Sequence, residues 1–198
     1  MGISAADIKT LRAATGAGVL DCRKALEQTN GDFEKAKAWL KDKGLAAAAK
    51  KTDRAASDGL VGHYIHHNSR VAVLVEVNCE TDFVARTEGF KTLTQNIAKH
   101  IAMAHPNYLK PEDISADEMA KLKSEFRAEA ASTGKPENIL DKIVESKLDN
   151  YYKEVCLLKQ PYVLDDKQTI GDMVAQGIAD LKENIVVRRF VRYELGGE

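Results

Sequence analysis

The sequence has only three cysteines, Cys22, Cys79 and Cys156. They stand far apart with no C-x-x-C pair, which argues against a zinc site and against an oxidised disulfide framework. No apolar run approaches the roughly 18 residues that a membrane span requires. A polar helix start begins within a few residues of Met1, so the expectation is an untargeted chain of a reducing bacterial cytoplasm, with no membrane partner. An excess of one charge sign is also missing. With 29 basic against 30 acidic residues, no global field points to nucleic acid or an anionic surface. The basic stretches are poor in aromatics and lack the stacking platform of single-strand binders, so no direct nucleic-acid partner is expected. Phosphate-cradling Gly-Lys-Ser/Thr loops, nucleophile elbows and Cys-His or Ser-His arrangements beyond chance are likewise missing. A non-enzymatic role without catalytic residues or cofactor is therefore expected. His63, His66 and His67 form the one ionisable cluster worth weighing as a metal site. On a strand His63 and His66 point to opposite faces, so they read as exposed hairpin residues and no metal ligand is expected.

What is present begins with a compact three-helix unit over residues 1–44. Ser4 and Asp7 have capping-box spacing, and Ile3 and Ile8 occupy the hydrophobic-staple positions. Ile8 and Leu11 begin a buried stripe. Thr15-Gly16-Ala17-Gly18 supplies a permissive turn, after which Cys22 and Leu26 recur at helical spacing. Asn30-Gly31 reads as a stop and Asp32 as a cap. A third helix then carries Phe33, Ala36 and Leu40 on one face, with Trp39 beside them and Gly44 as its end. Residues 45–58 are alanine-rich with Lys50, Lys51 and Arg54. They read as a partly helical connector whose basic face is solvated, or touches RNA or an acidic partner surface.

From Gly59 the period changes. Leu60 to His66 and the alternating Val71, Val73, Val75 and Val77 predict a hairpin turning at Asn68-Ser69, with the valines facing a core. Phe90, Leu93, Ile97 and Ile101 place the next segment on a helix covering that sheet. Pro106 and Pro111 interrupt. Asp117 to Ser132 and Pro136 to Leu157 predict two charged helices joined at Thr133-Gly134-Lys135-Pro136, a projecting helical hairpin over 117–157. A helix from Thr169 to about Lys182 precedes a last strand, Ile185 to Leu195, and the chain ends on Gly196-Gly197-Glu198. The fold class is thus α+β: a three-helix unit, then over 59–198 a small antiparallel sheet covered by helices.

The most informative segment is Glu76-Val77-Asn78-Cys79-Glu80-Thr81-Asp82-Phe83-Val84-Ala85-Arg86, where the valine alternation stops abruptly. Two readings stand side by side. Phe83 folds inward as a core cap while Asp82 caps a helix, or Phe83 is an exposed anchor for a partner and Asp82 fixes its register.

This segment closely resembles the second signature of elongation factor Ts. Leu11-Arg12-Ala13-Ala14-Thr15-Gly16-Ala17-Gly18-Val19-Leu20-Asp21-Cys22-Arg23-Lys24-Ala25-Leu26 resembles the first. The resemblance continues in family order through Ala56-Ser57-Asp58-Gly59-Leu60, Lys99-His100-Ile101-Ala102-Met103, Gln160-Pro161-Tyr162-Val163 and Phe190-Val191-Arg192-Tyr193-Glu194-Leu195-Gly196. It implies an N-terminal unit similar to a ubiquitin-associated domain. It also implies a guanine nucleotide exchange factor that makes elongation factor Tu release GDP. Asp82 and Phe83, flanked by Thr81 and Val84, would contact the GTP-binding domain near its magnesium site. Val19 and Leu20, with Arg12 and Arg23, would touch the same domain, and His100 matches a further contact position. Adjacent apolar residues cannot share one stripe, so one of Val19 and Leu20 should be left for a partner. The chain resembles the short, single-core form, for which a homodimer seamed at the C-terminal strand is expected. A ubiquitin-associated-like adaptor and a ribosome- or RNA-binding accessory protein are the other classes the sequence leaves open.

Overall fold

The fold is described from a computed structural model, covering residues 3–132 and 136–197. Its elements run α1 (Ala5–Thr15), α2 (Val19–Gln28), α3 (Phe33–Ala49), β1 (Asp58–Ile65), β2 (Val71–Cys79), α4 (Asp82–Ala85), α5 (Glu88–Ala104), α6 (Ala116–Ala131), α7 (Glu137–Val155), β3 (Pro161–Tyr162), β4 (Asp165–Thr169), α8 (Ile170–Leu181) and β5 (Ile185–Glu194). Helices with a small antiparallel sheet make this an α+β protein, as expected. Two compact units are distinguished. One comprises the chain up to Leu60 with Asn78–Lys91 and Val174–Val186, the other Val61–Val77, Thr92–Met173 and the residues from Val187 on.

In the first unit, α1 starts where its orphan N–H groups find partners: the Asp7 N–H donates to Ser4 Oγ (3.1 Å) and the Ser4 N–H to Asp7 Oδ2 (3.1 Å). It stops at Gly16, whose φ of 68° is left-handed and whose N–H donates to the Arg12 carbonyl (2.8 Å). Leu11, Cys22, Ala25, Leu26 and Ala36 form the core of the three helices, with Ile3, Ile8, Phe33, Trp39 and Leu40 packed against it. Lys43 reaches back from α3 to Asp21 at 2.5 Å, and that hydrogen bond holds the Asp21 carboxyl below its usual range. The expected stop at Gly44 is not there. α3 runs on to Ala49, because alanines 46–49 are strong helix formers and Gly44 keeps a negative φ. A Cβ on Gly44 would lie 3.2 Å from the Ala179 Cβ on α8. This glycine permits a close approach; it does not terminate the helix.

In the second unit, β1 and β2 form a hairpin through His66–Ser69, closed by hydrogen bonds from the His66 N–H to Val71 O (2.9 Å) and the Ser69 N–H to His66 O (2.7 Å). The strand order is β1-β2-β5, so β5 is an edge strand. The Leu195 N–H donates to Arg70 O (2.8 Å), so β5 ends beside the start of β2 and runs antiparallel to it. Val73, Val75 and Val77 are buried as their alternation predicts, and so are Ile97 and Ile101 of α5. A Cβ on Gly62 would collide with the Thr94 methyl group of α5. The bare glycine therefore lets the helix lie close on β1. Along β5, Val187 is buried, Arg188 and Arg189 are both exposed, and Val191 and Tyr193 then face solvent. The alternation slips by one residue at the two arginines. The apolar set Ile185, Val187, Val191, Tyr193 and Leu195, which the sequence pattern places on one face, is thereby split between two.

α6 and α7 form the expected pair, tied by Arg127 to Glu137 (3.2 Å) and Asp141 (3.0 Å) and by Lys147 to Glu129 (2.7 Å), with Ala130 and Leu148 buried. Their junction at Thr133-Gly134-Lys135 lies outside the described residues, as does Glu198. The β3–β4 pair, with Pro161 opposite Thr169 and Tyr162 opposite Asp165, is absent from the sequence reading. A two-residue strand has no visible period, and aspartates are poor strand formers.

Candidate functional site

The segment that breaks the valine alternation is a strand-to-helix corner in the first unit. β2 ends at Cys79, and Thr81 caps the single turn α4 by accepting from the Val84 N–H (3.4 Å). Ala85 is the buried residue of that turn, so Phe83, two positions earlier, points away and is 79% exposed. The core-cap reading of Phe83 is thus overturned, and Asp82 is not the cap. Asp82 sits in the first turn with Arg86 2.6 Å away, a surface ion pair of the kind that contributes little to stability. Val84 is half-buried beside it.

What holds this corner comes from elsewhere in the chain. The Glu183 carboxylate accepts from the N–H groups of Glu80 (3.1 Å) and Thr81 (3.0 Å) through Oε2, and from the Thr81 hydroxyl (2.6 Å) through Oε1. Glu80 in turn accepts from the Asn184 N–H (2.7 Å) and lies 3.5 Å from Arg54. Asn184, fully buried, donates its amide protons to the carbonyls of Thr52 (3.2 Å) and Arg54 (2.6 Å). The Cys79 thiol donates to Thr81 O (3.1 Å); burial and then nearby Glu183 push its pKa up, so it stays protonated. Sequence reasoning missed Glu183 and Asn184 entirely. They lie just before β5, 103 positions from the corner in the case of Glu183 and Glu80, and no spacing rule connects them.

Of the remaining candidates, Arg12 lies in the last turn of α1, and Val19 and Leu20 open α2, so all three flank the Gly16–Gly18 turn. Val19 is 50% and Leu20 80% exposed. The sequence expectation left one of them for a partner; both are free, because Cys22, Ala25 and Leu26 already fill the inner stripe. Arg23 is exposed and paired with Glu27 at 2.8 Å.

His100, which matches a contact position of the family, is not at the surface. In the second unit it is fully buried in α5. Its Nδ1 accepts from the Val163 N–H (3.3 Å), so Nε2 carries the proton and donates to Gln160 Oε1 (2.9 Å). The Gln160 amide completes the chain by donating to Ala104 O (3.2 Å) and Glu154 O (2.7 Å). Burial lowers the His100 pKa and the Gln160 contact only partly opposes this, so the ring is neutral. His100 is a buried hydrogen-bonding post, and in this structure its ring is not available to a partner.

The second unit also carries an uncovered apolar sheet face. Val61 and Ile65 of β1, Leu74 of β2, and Val191, Tyr193 and Leu195 at the end of the chain are all exposed. An apolar patch of this kind is characteristic of an interface. Among the described residues no cluster of three or more His, Cys, Asp or Glu is placed to hold a metal ion, and no helix is long and apolar enough to cross a membrane.

Comparison with known proteins fits this arrangement. Residues 45–197 match the family model described as elongation factor TS. A relative named elongation factor Ts from Coprothermobacter proteolyticus is 56% identical over 196 residues, covering 99% of this chain and 100% of its own length. Those from Geobacter metallireducens and Moorella thermoacetica are 53% and 52% identical, covering 99% and 98% of this chain and 91% and 96% of theirs.

Proposed function

The chain belongs to the elongation factor Ts family of translation elongation factors, and from that premise we propose that it is a guanine nucleotide exchange factor for elongation factor Tu in the bacterial cytoplasm. The observation that carries the reading is Phe83, a large apolar side chain held 79% exposed on a braced corner next to Asp82. Leaving such a ring in water forgoes roughly 1.5–3 kcal/mol that burial against a partner would recover. Thr81 and Val84 frame that anchor, and Val19, Leu20, Arg12 and Arg23 supply a second, smaller contact. His100 serves only by holding α5 to the segment around Val163.

The mechanism makes and breaks no covalent bond. A GTPase holds GDP through backbone donors, a lysine and a magnesium ion that neutralises phosphate charge. When Asp82 and Phe83 pack only against a partner whose phosphate loop and magnesium ligands have shifted, binding selects that state and GDP leaves faster. Linkage makes the effect reciprocal, so GDP weakens the factor's binding by the same ratio. GTP then completes the exchange by displacing the factor.

The uncovered sheet face supports a further element of the same reading, a homodimer in which a second copy covers Leu74, Val191 and Tyr193. Stopped-flow release of a fluorescent GDP from elongation factor Tu tests the exchange activity directly: without acceleration by this protein, the reading fails. Sedimentation equilibrium of Leu74→Glu against the parent protein tests the pairing, and equal masses for the two would remove it.

A further inference from the structure

α4 is one helical turn of four residues. A helix that short has no stability of its own, since nucleation costs more than one turn returns. The direction of Phe83 must therefore be set from outside the turn. The structure assigns that task to Glu183: we infer that it is a positioning residue for nucleotide exchange, orienting the Asp82–Phe83 corner without touching the partner. The inference rests on the exchange reading of Phe83.

The geometry is specific. Glu183 Oε2 takes two successive backbone N–H groups, of Glu80 and Thr81, which fixes the orientation of the peptide plane where β2 ends. Its Oε1 takes the Thr81 hydroxyl proton at 2.6 Å, which selects the rotamer that leaves the hydroxyl lone pair facing the Val84 N–H. Glu183 thus determines how Thr81 caps α4, and the cap determines where Phe83 points. Hydrogen bonds to an ionised carboxylate are about twice as strong as neutral ones. The clamp itself is anchored by its neighbour. Asn184 is fully buried, donates its backbone N–H to Glu80, and holds the carbonyls of Thr52 and Arg54 in the segment that follows α3. The clamp therefore braces the corner against the chain leaving the three-helix region, all within one compact unit.

The test uses the full chain with Glu183→Ala and Glu183→Gln, each alone and in a Phe83→Ala background. Three quantities are read: deuterium uptake at residues 79–86, the melting temperature, and the maximal rate of fluorescent-GDP release at saturating factor. Glu183→Ala is expected to speed uptake at Glu80 and Thr81, leave melting within a few degrees, and lower the maximal release rate about ten-fold. Glu183→Gln, which retains one acceptor oxygen, should recover part of that rate. In the Phe83→Ala background Glu183→Ala should cost nothing more, because two residues acting through one contact are not additive. If the parent protein accelerates release and Phe83→Ala weakens but does not abolish the effect, while Glu183→Ala is as fast as the parent, the positioning role is wrong and the exchange reading stands. A full additional loss in the Phe83→Ala background is the signature of a merely structural residue and also overturns the role. If the parent protein itself does not accelerate release, both fall together.

Discussion

Phe83 and His100 both lie in segments that carry the family resemblance, yet the structure uses them in opposite ways. Phe83, an apolar ring, is 79% exposed, whereas His100, a polar ring, is 0% exposed. A large apolar ring is ordinarily the more buried of the two, and the reason for the reversal is what each side chain meets. At the corner, Ala85 takes the single inward position of a one-turn helix, leaving none for Phe83. On α5, His100 finds Gln160 and the Val163 N–H, which satisfy both ring nitrogens and remove the penalty of burial. Membership of a recognisable motif therefore does not say which side chains are exposed and which are buried.

The comparison breaks most visibly at His100. Replacing it with alanine opens a cavity and orphans the buried Gln160 Oε1 and the part-buried Val163 N–H. A stability loss of about 3 kcal/mol is expected, read from chemical denaturation, while the surviving folded protein keeps its exchange activity. Normal stability with lost exchange would show instead that His100 meets the partner. Phe83→Ala should do the converse. An interface anchor is worth about 2 kcal/mol of binding, roughly thirty-fold in affinity, with melting unchanged, and a joint loss of melting and activity would return Phe83 to the core.

Acid sharpens the contrast. The folded-state pKa of His100 lies below its ordinary value of 6.5, so the unfolded chain takes up a proton first as the pH falls. The stability from neutral His100 is complete above pH 6.5 and is lost progressively below it, at up to about 1.4 kcal/mol per pH unit, until the folded ring also protonates. Denaturation midpoints at pH 7.5, 6.5 and 5.5 should fall in that order, and the slope should be reduced in His100→Gln. A profile identical in that variant would assign the acid sensitivity to another group. The smallest effect is expected at Leu20→Ser, about 1 kcal/mol of partner affinity or roughly five-fold, with no change in melting. Titration calorimetry against the GTPase would show whether the exposed start of α2 belongs to the interface at all.

Much of the fold was legible because it is encoded over a few residues. The Ser4–Asp7 capping box, the Leu11–Cys22–Leu26 stripe, the valines of β2 and the apolar face of α5 each follow from side-chain periods or cap chemistry that a short window contains. The failures share the opposite character. Gly44 read as a stop because a glycine after a helical run commonly is one, and only the Ala179 methyl group 3.2 Å from where its Cβ would be reveals a packing role. The slip in β5 was hidden for the same reason, since Arg188 and Arg189 look alike in any alternation until their neighbours are known.

By itself, then, the sequence determined the α+β class, the order of the main helices and strands, and the position of the corner where β2 ends, since these depend on chemistry within one or two turns of chain. Tertiary structure alone decided that Phe83 points outward, that both Val19 and Leu20 are free, that His100 is buried, and that Glu183 and Asn184 brace the corner. Direction and burial are properties of what lies opposite in space, and the partners that settle them, Glu183 for Thr81 and Gln160 for His100, stand 102 and 60 positions away along the chain.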